Sequence, residues 1–386
     1  YFSMCKMNLL SLLMLLQLVN HHESANPVIA CYVTDDSILT RSPPQNICTH
    51  YQLIGHSAID SHGNFVPPKH VNIKRFHSVS DSSPSSSLLL TVTAPNSHWS
   101  RMTSFDGNIH KFANATASYL KDNKLNGLDL DWEFPVWSPD ASDYDFEGLS
   151  HLVEILHSHL SPLGLLLTIA TSGPPTITRV SYNMTAISKL DTVIPLRIGT
   201  RRFVDYVFVM NYDFHVWQIF APFVGFNAPL RSIPIEKREL AEMNSIASVN
   251  TYLQMGLPKE KLIFGIPTYN LAYVLVNGYF HLPYALSSGE IYSYSSQVNV
   301  CNLTQSEEWK ELWNDDAASP YIYNENKKLW ITSESERSVH EKAMYVRNQS
   351  LGGVMIFDID CDDRDGECGH GPYPLLNAIH RAITSP

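Results

Sequence analysis

Asp129, Asp131 and Glu133 stand at i, i+2 and i+4 within the run Asn126-Gly-Leu-Asp-Leu-Asp-Trp-Glu133. On a β-strand that spacing turns all three carboxylates to one face. Acids crowded on one face repel one another and are costly to desolvate, so a core gains no stability from choosing them. The arrangement points to chemistry in which at least one carboxyl group holds a proton near neutral pH. Acids that end a strand also serve as helix caps or metal ligands. The 17 histidines show no ligand spacing, so the sequence implies neither a metal nor another cofactor.

Such side chains need strands to carry them. Short β-rich apolar runs recur at Val28–Val33, Tyr51–His56, Leu88–Thr93, Gly127–Trp132, Leu165–Ala170, Tyr206–Tyr212, Leu262–Pro267 and Gly353–Ile359. Helical patterns separate them, as at Ile109–Asn123, Phe146–Leu160, Ser245–Leu257 and Ser338–Asn348. Alternation of this kind predicts an α/β fold, a (β/α)8 TIM barrel. The stretch from about 269 to 335 exceeds a simple connection and predicts a small α+β insertion between strands 7 and 8. In such a barrel the site lies at the C-terminal ends of the strands. Glu133, followed by Phe134-Pro135, falls at one such end, and Asp213 closes the sixth candidate strand after Met210-Asn-Tyr212.

Bulk properties narrow the partners. A net charge of −11 without a basic run argues against nucleic acid and is compatible with a neutral polymer. Lys6 before the apolar run Leu9 to Val19, with small or polar residues through Ala25, reads as a cleaved secretory signal over 1–25. The run is too short to span a bilayer comfortably, so the expected product is an extracellular monomer free of the membrane. Beyond Cys5 in that signal, Cys31, Cys48, Cys301, Cys361 and Cys368 imply two bridges and one spare thiol. Sequons at Asn114, Asn183, Asn302 and Asn348 are glycosylation candidates.

The blocks together resemble glycoside hydrolase family 18, the chitinases and chitinase-like proteins. The run ending at Glu133 is similar to the family signature DGxDxDxE. Cys31-Tyr-Val-Thr34 resembles its first strand, Cys48-Thr-His50 the start of the second, and Met210-Asn-Tyr-Asp213 with Phe214-His215 its Met-x-Tyr-Asp stretch. Gly265-Ile-Pro-Thr-Tyr269 and Leu351-Gly-Gly-Val-Met-Ile356 resemble the seventh and eighth strands. The resemblance covers 26–386 and implies hydrolysis of β-1,4-linked N-acetylglucosamine polymers, with the sugar's own acetamido oxygen as nucleophile. It implies that Glu133 is acid and then base, that Asp131 orients the acetamido group, and that Asp129 shares a proton with Asp131. Tyr212 and Asp213 would hold the acetamido oxygen. Met210, Tyr32, Tyr269, Phe357 and Trp217 would contact substrate, while Trp99, Trp132 and Trp137 remain open between core and cleft. It implies bridges Cys31–Cys48 and Cys301–Cys368, with Cys361 free.

Departures from the pattern carry the rival reading, a chitinase-like lectin that binds such sugars without cleaving them. Phe357 replaces the Trp that floors the subsite of the reacting sugar, and Thr91-Val-Thr-Ala94 replaces a glycine-rich block. Asp36 stands in place of a stacking Trp, Leu271 in place of an Arg, Asn126 in place of the first acid, and Gly55-His56 in an aromatic stretch. An exo-acting chitobiase would share the signature. The segment Asp191–Arg202 is additional sequence with no assigned role.

Overall fold

The computed structural model describes residues 26–34, 45–189, 203–292, 295–304 and 306–385. The signal segment 1–25, Asp36 and Asp191–Arg202 lie outside the described residues. Parallel strands covered on both faces read as continuous apolar runs. Accordingly, every residue of β1 (Val28–Val33) is buried. It is followed by β2 (His50–Ile59), the short β3 (Phe65–Val66), β4 (Ser87–Thr93), β5 (Gly127–Asp131), β6 (Leu166–Ser172), β7 (Tyr206–Met210) and β8 (Leu262–Pro267). Five strands then form an insertion: β9 (Leu271–Leu275), β10 (Ser287–Ile291), β11 (Lys310–Asn314), β12 (Ser319–Asn324) and β13 (Leu329–Thr332). The last barrel strand is β14 (Gly353–Phe357). The longer helices are α1 (His70–His77), α2 (Asn96–Thr103), α3 (Asp106–Asp122), α4 (Asp145–Leu160), α5 (Ser245–Gln254), α6 (Gln297–Thr304), α7 (Glu336–Gln349) and α8 (Pro374–Thr384).

The main sheet runs β1-β14-β8-β7-β6-β5-β4-β2, with β3 added antiparallel on β2, and β1 pairing β2 closes the eight parallel strands into a barrel. This is the (β/α)8 barrel that the alternation predicts. Helices cover the outside through apolar stripes, as on α3, where Ile109, Phe112, Ala113, Thr116, Ala117 and Leu120 turn inward at helical spacing. The barrel interior is filled by Val28, Ala30, Tyr32, Phe208, Met210, Ile263 and Met355. The insertion is an antiparallel sheet in the order β10-β9-β13-β12-β11, placed in sequence between β8 and β14 with α6. Leu271 begins β9 and packs half-buried against the insertion's own core.

Several strand ends differ from expectation, among them β14, which stops at Phe357, and two bear directly on the acids. β5 stops at Asp131, so Glu133 lies past the last pairing residue, where the Glu133–Phe134 peptide is cis. β7 stops at Met210, because the N–H groups of Asn211 and Tyr212 bond to the carbonyls of Val209 and Met210 rather than to a neighbouring strand. Gly55 has φ +85° and lies where the register of β2 on β4 shifts, between Leu53 and Ser57. Disulfides join Cys31 to Cys48 and Cys301 to Cys368, and Cys361 is free. Burial, with Asp358, Asp360 and Asp362 nearby, pushes the Cys361 thiol well up, so it stays protonated and inert. No helix among the described residues is long and apolar enough to cross a membrane.

Candidate active site

β5 sends Asp129 and Asp131 into the barrel, one layer apart. Asp129 is fully buried. Its Oδ2 accepts from the Tyr32 hydroxyl at 2.6 Å and the Thr91 hydroxyl at 3.0 Å, and its Oδ1 from the Thr168 hydroxyl at 2.6 Å. Burial raises its carboxyl, and the three donors oppose that rise. Three hydroxyls turned on two oxygens favour the anion there, against the burial that is the larger effect. The resemblance led to an expected proton pair between Asp129 and Asp131. In this structure Asp131 makes its side-chain hydrogen bond with Glu133 and feels Asp129 through its charge. Burial first, then the charges of Glu133 and Asp129, hold the Asp131 carboxyl far above its usual range. Burial and the charge of Asp213 raise Glu133. The pair therefore gives up its last proton above the usual carboxylate range. Asp131 Oδ1 is buried without a protein partner, whereas Glu133 stands at the open end.

Across from the acids, Asp213 has φ +57°, a left-handed conformation that Asp tolerates better than most residues. Its N–H donates to Asn227 Oδ1 at 2.8 Å, and its Oδ1 accepts from the Tyr269 hydroxyl at 2.6 Å. Burial raises the Tyr212 and Tyr269 hydroxyls well above their usual value, so both remain donors. Phe357 lies among three tyrosines: its ring centre is 5.5 Å from Tyr32, 5.9 Å from Tyr212 in a stacked pose, and 6.3 Å from Tyr269 edge-on. These groups, with Met210, Met355 and Ala170, line a cavity of about 190 Å³ that also admits Asp131, Glu133 and Asp213. Depressions of about 590 and 830 Å³ lie elsewhere and contain none of these acids, so the chemistry belongs to the smaller cavity.

Nine of the ten catalytic and substrate-contact residues chosen from sequence thus meet: eight line the cavity, and Asp129 lies beneath it. Trp217 does not join them. Its indole N–H donates to the Ser287 carbonyl at 3.3 Å, and its ring packs on the insertion core. Trp99 and Trp132 are buried and stacked at 5.2 Å, with the Trp132 indole donating to Asn96 Oδ1 at 2.8 Å, whereas Trp137 is exposed. Asn96 also donates to the Glu133 carbonyl at 2.8 Å, fixing the backbone that carries the acid. Asn114, Asn302 and Asn348 are exposed, while Asn183 is half-buried and its Oδ1 caps a helical turn at Ala186.

Sequence reasoning missed Thr168, Asn96 and Asn227, none of which has a local signal. Asn227 is the most consequential, since it also donates its own N–H to Thr332 Oγ1 at 3.0 Å and so joins the site to the insertion. Asn227→Ala is expected to leave the Asp213 N–H without its acceptor, costing roughly 1–3 kcal/mol in a urea titration. An unchanged midpoint and slope would remove this role.

Comparisons agree with the geometry. The model of the family described as Glycosyl hydrolases family 18 matches residues 28–362. Chitotriosidase-1 of Mus musculus is 27% identical over 382 residues, covering 93% of this chain and 78% of its own length. The group IV chitinase of Ostrinia furnacalis superposes with a TM-score of 0.83 at 24% identity, over 93% of this chain and 100% of that one. Human YKL-39, described as a pseudo-chitinase with retained chitooligosaccharide binding properties, superposes at 0.80 and 22% identity, over 93% and 100% of the two chains. At such identities the two structures speak to fold alone. The family match over most of the chain, with Asp131, Glu133 and Asp213 in one cavity, makes this protein a member of glycosyl hydrolases family 18.

Proposed function

We propose that the protein is a secreted chitinase that cleaves β-1,4-linked N-acetylglucosamine chains with retention, by a substrate-assisted route. The observation that carries this reading is the hydrogen-bonded Asp131–Glu133 pair, buried at one end and open to the cavity at the other. Glu133 protonates the glycosidic oxygen, and the bond to the anomeric carbon breaks as the acetamido oxygen attacks that carbon. Asp131 Oδ1, which has no protein partner, accepts the acetamido N–H and offsets the positive oxazolinium. The Tyr212 hydroxyl donates to the acetamido oxygen, with Asp213 beside it. Glu133, now ionised, takes a proton from water as that water opens the ring. Phe357 gives the sugar an apolar floor of smaller area than an indole. Export and glycans on the exposed sequons belong to the same reading.

The lectin reading rests on that reduced floor. Hydrolysis of a fluorogenic chitobioside separates the two, with chito-oligosaccharide binding measured in parallel. Turnover supports the enzyme, and binding without turnover leaves a lectin.

A pH profile tests the acid pair. The pair loses its protons in two steps, and the second is the higher because it sets two negative charges side by side. Turnover needs the singly protonated pair, so the alkaline limb of kcat/KM reports that second step. Asp131→Asn removes the second charge and lets Glu133 ionise alone. The limb is expected to move to lower pH by at least about one unit, together with a loss of kcat. A limb that stays in place would uncouple the two acids.

A further inference from the structure

Half of the large apolar side chains that stand exposed among the described residues fall in two segments, 216–223 and 276–292. They include Ile219 at 81% exposure, Phe220 at 83%, Tyr279 at 77% and Phe280 at 69%. The two segments form one surface. Val224 N–H donates to the Ala285 carbonyl at 2.9 Å, Tyr284 N–H to the Val224 carbonyl at 2.8 Å, and Ser287 N–H to the Pro222 carbonyl at 2.8 Å, beside a bridge between Phe223 and Leu286. Although the chain carries a net charge of −11, neither 214–230 nor 266–289 contains an Asp, Glu, Lys or Arg. The surface begins at the mouth of the cavity. Phe214 follows Asp213 directly, and Trp217 N–H donates to Glu290, whose charge is felt at Asp213.

We infer that this uncharged aromatic apron is a docking surface for an insoluble neutral polysaccharide, which presents the apolar faces of its pyranose rings and feeds a chain end into the cavity. The assignment rests on the reading of the cavity as an N-acetylglucosamine site. Exposed rings without charge suit sugar faces by C–H contact, whereas a charged protein partner would find no counter-charge across 214–230 or 266–289, Glu290 standing only at the edge of the second. Continuity with the cavity mouth favours the polymer over a second copy of the chain. Apolar patches of this kind on a monomer commonly mark such contact sites.

The test compares the full chain with its Phe220→Ala/Phe280→Ala variant. Both rings are largely exposed, so their removal spares the core. On chitin powder the bound fraction at sub-saturating load is expected to correspond to about tenfold weaker affinity. Hydrolysis of soluble chitobioside should be unchanged. Equal retention of both proteins on the powder would overturn the inference. So would a wild-type dimer in sedimentation velocity that the variant loses, because the apron would then cover another copy. If the wild type binds powder through these rings yet never turns over chitobioside, the hydrolase reading falls and the docking surface stands.

Discussion

Glu133→Gln is expected to lower kcat on fluorogenic chitobioside at least about a hundredfold, with chito-oligosaccharide binding retained. The carboxamide keeps the shape and the hydrogen bond to Asp131, but it has no proton to give in the accessible pH range. The same variant is expected to gain stability. Burial raises Glu133 in the folded state, so folding favours its protonated form. Below the unfolded value of about 4.3 both states are protonated and nothing is lost. As pH rises from there through the folded value, the native state pays increasingly for ionisation, and the cost persists above it. The Gln variant escapes that cost. Because Glu133 reaches solvent, the gain should be small, about 0.5–1 kcal/mol at pH 7.5, and should vanish near pH 4. Calorimetry at both pH values, beside the turnover assay, checks the two halves separately. Wild-type turnover would take the acid role from Glu133. An equal melting temperature at pH 7.5 would remove the electrostatic account.

Lys342→Met is expected to destabilise the fold by about 3–5 kcal/mol. Lys342 on α7 is fully buried and paired with buried Glu334, whose Oε2 also accepts from the Ser338 hydroxyl at 2.6 Å. Ser338 closes the capping box with Ser335 at the start of α7, so the ion pair and the cap form one network where the insertion returns to the barrel. Removing the ammonium strands a carboxylate with no cation in a dry site. Burial lowers the Lys342 pKa against the pull of Glu334, a sign that desolvation outweighs the attraction. For that reason Lys342→Met/Glu334→Leu should recover most of the loss, since neither charge is then left alone. Chemical denaturation of the three variants decides it. A single variant as stable as the wild type, or a double variant no better than the single, contradicts the account.

The sequence disclosed the barrel because its strands, buried on both faces, form dense apolar runs that local reading detects. Val28–Val33 and Leu262–Pro267 are placed to the residue. The three acids were legible for a related reason: their spacing is itself local. What local reading could not see is register. Thr91 lies opposite Asp129, and Asp129 opposite Thr168, because three parallel strands align there. The sequence-level departure at Thr91 looked like added bulk; in the fold it supplies a hydroxyl to Asp129. Nor does a strand pattern reveal which side chain bends toward which, so the hydrogen bond between Asp131 and Glu133 emerges only in the fold. The place of Trp217, outside the cavity lining, was hidden because its partner, Ser287, is 70 residues away in the insertion. Asn227 was invisible because its work, accepting the Asp213 N–H, depends on a backbone conformation no composition announces.

Asp129, ringed by three hydroxyls at the barrel's centre, has one more consequence. When ionised it is a negative monopole beneath the cavity, shielded by protein on every side. Ions in the medium screen charges over about 8–10 Å of water but have little purchase on a source sealed in the interior. A cationic sugar analogue seated over Asp131 would therefore feel an attraction nearly independent of ionic strength, whereas contacts at the cavity rim would fade with added salt. The potential well is part of the folded barrel, present before any ligand arrives.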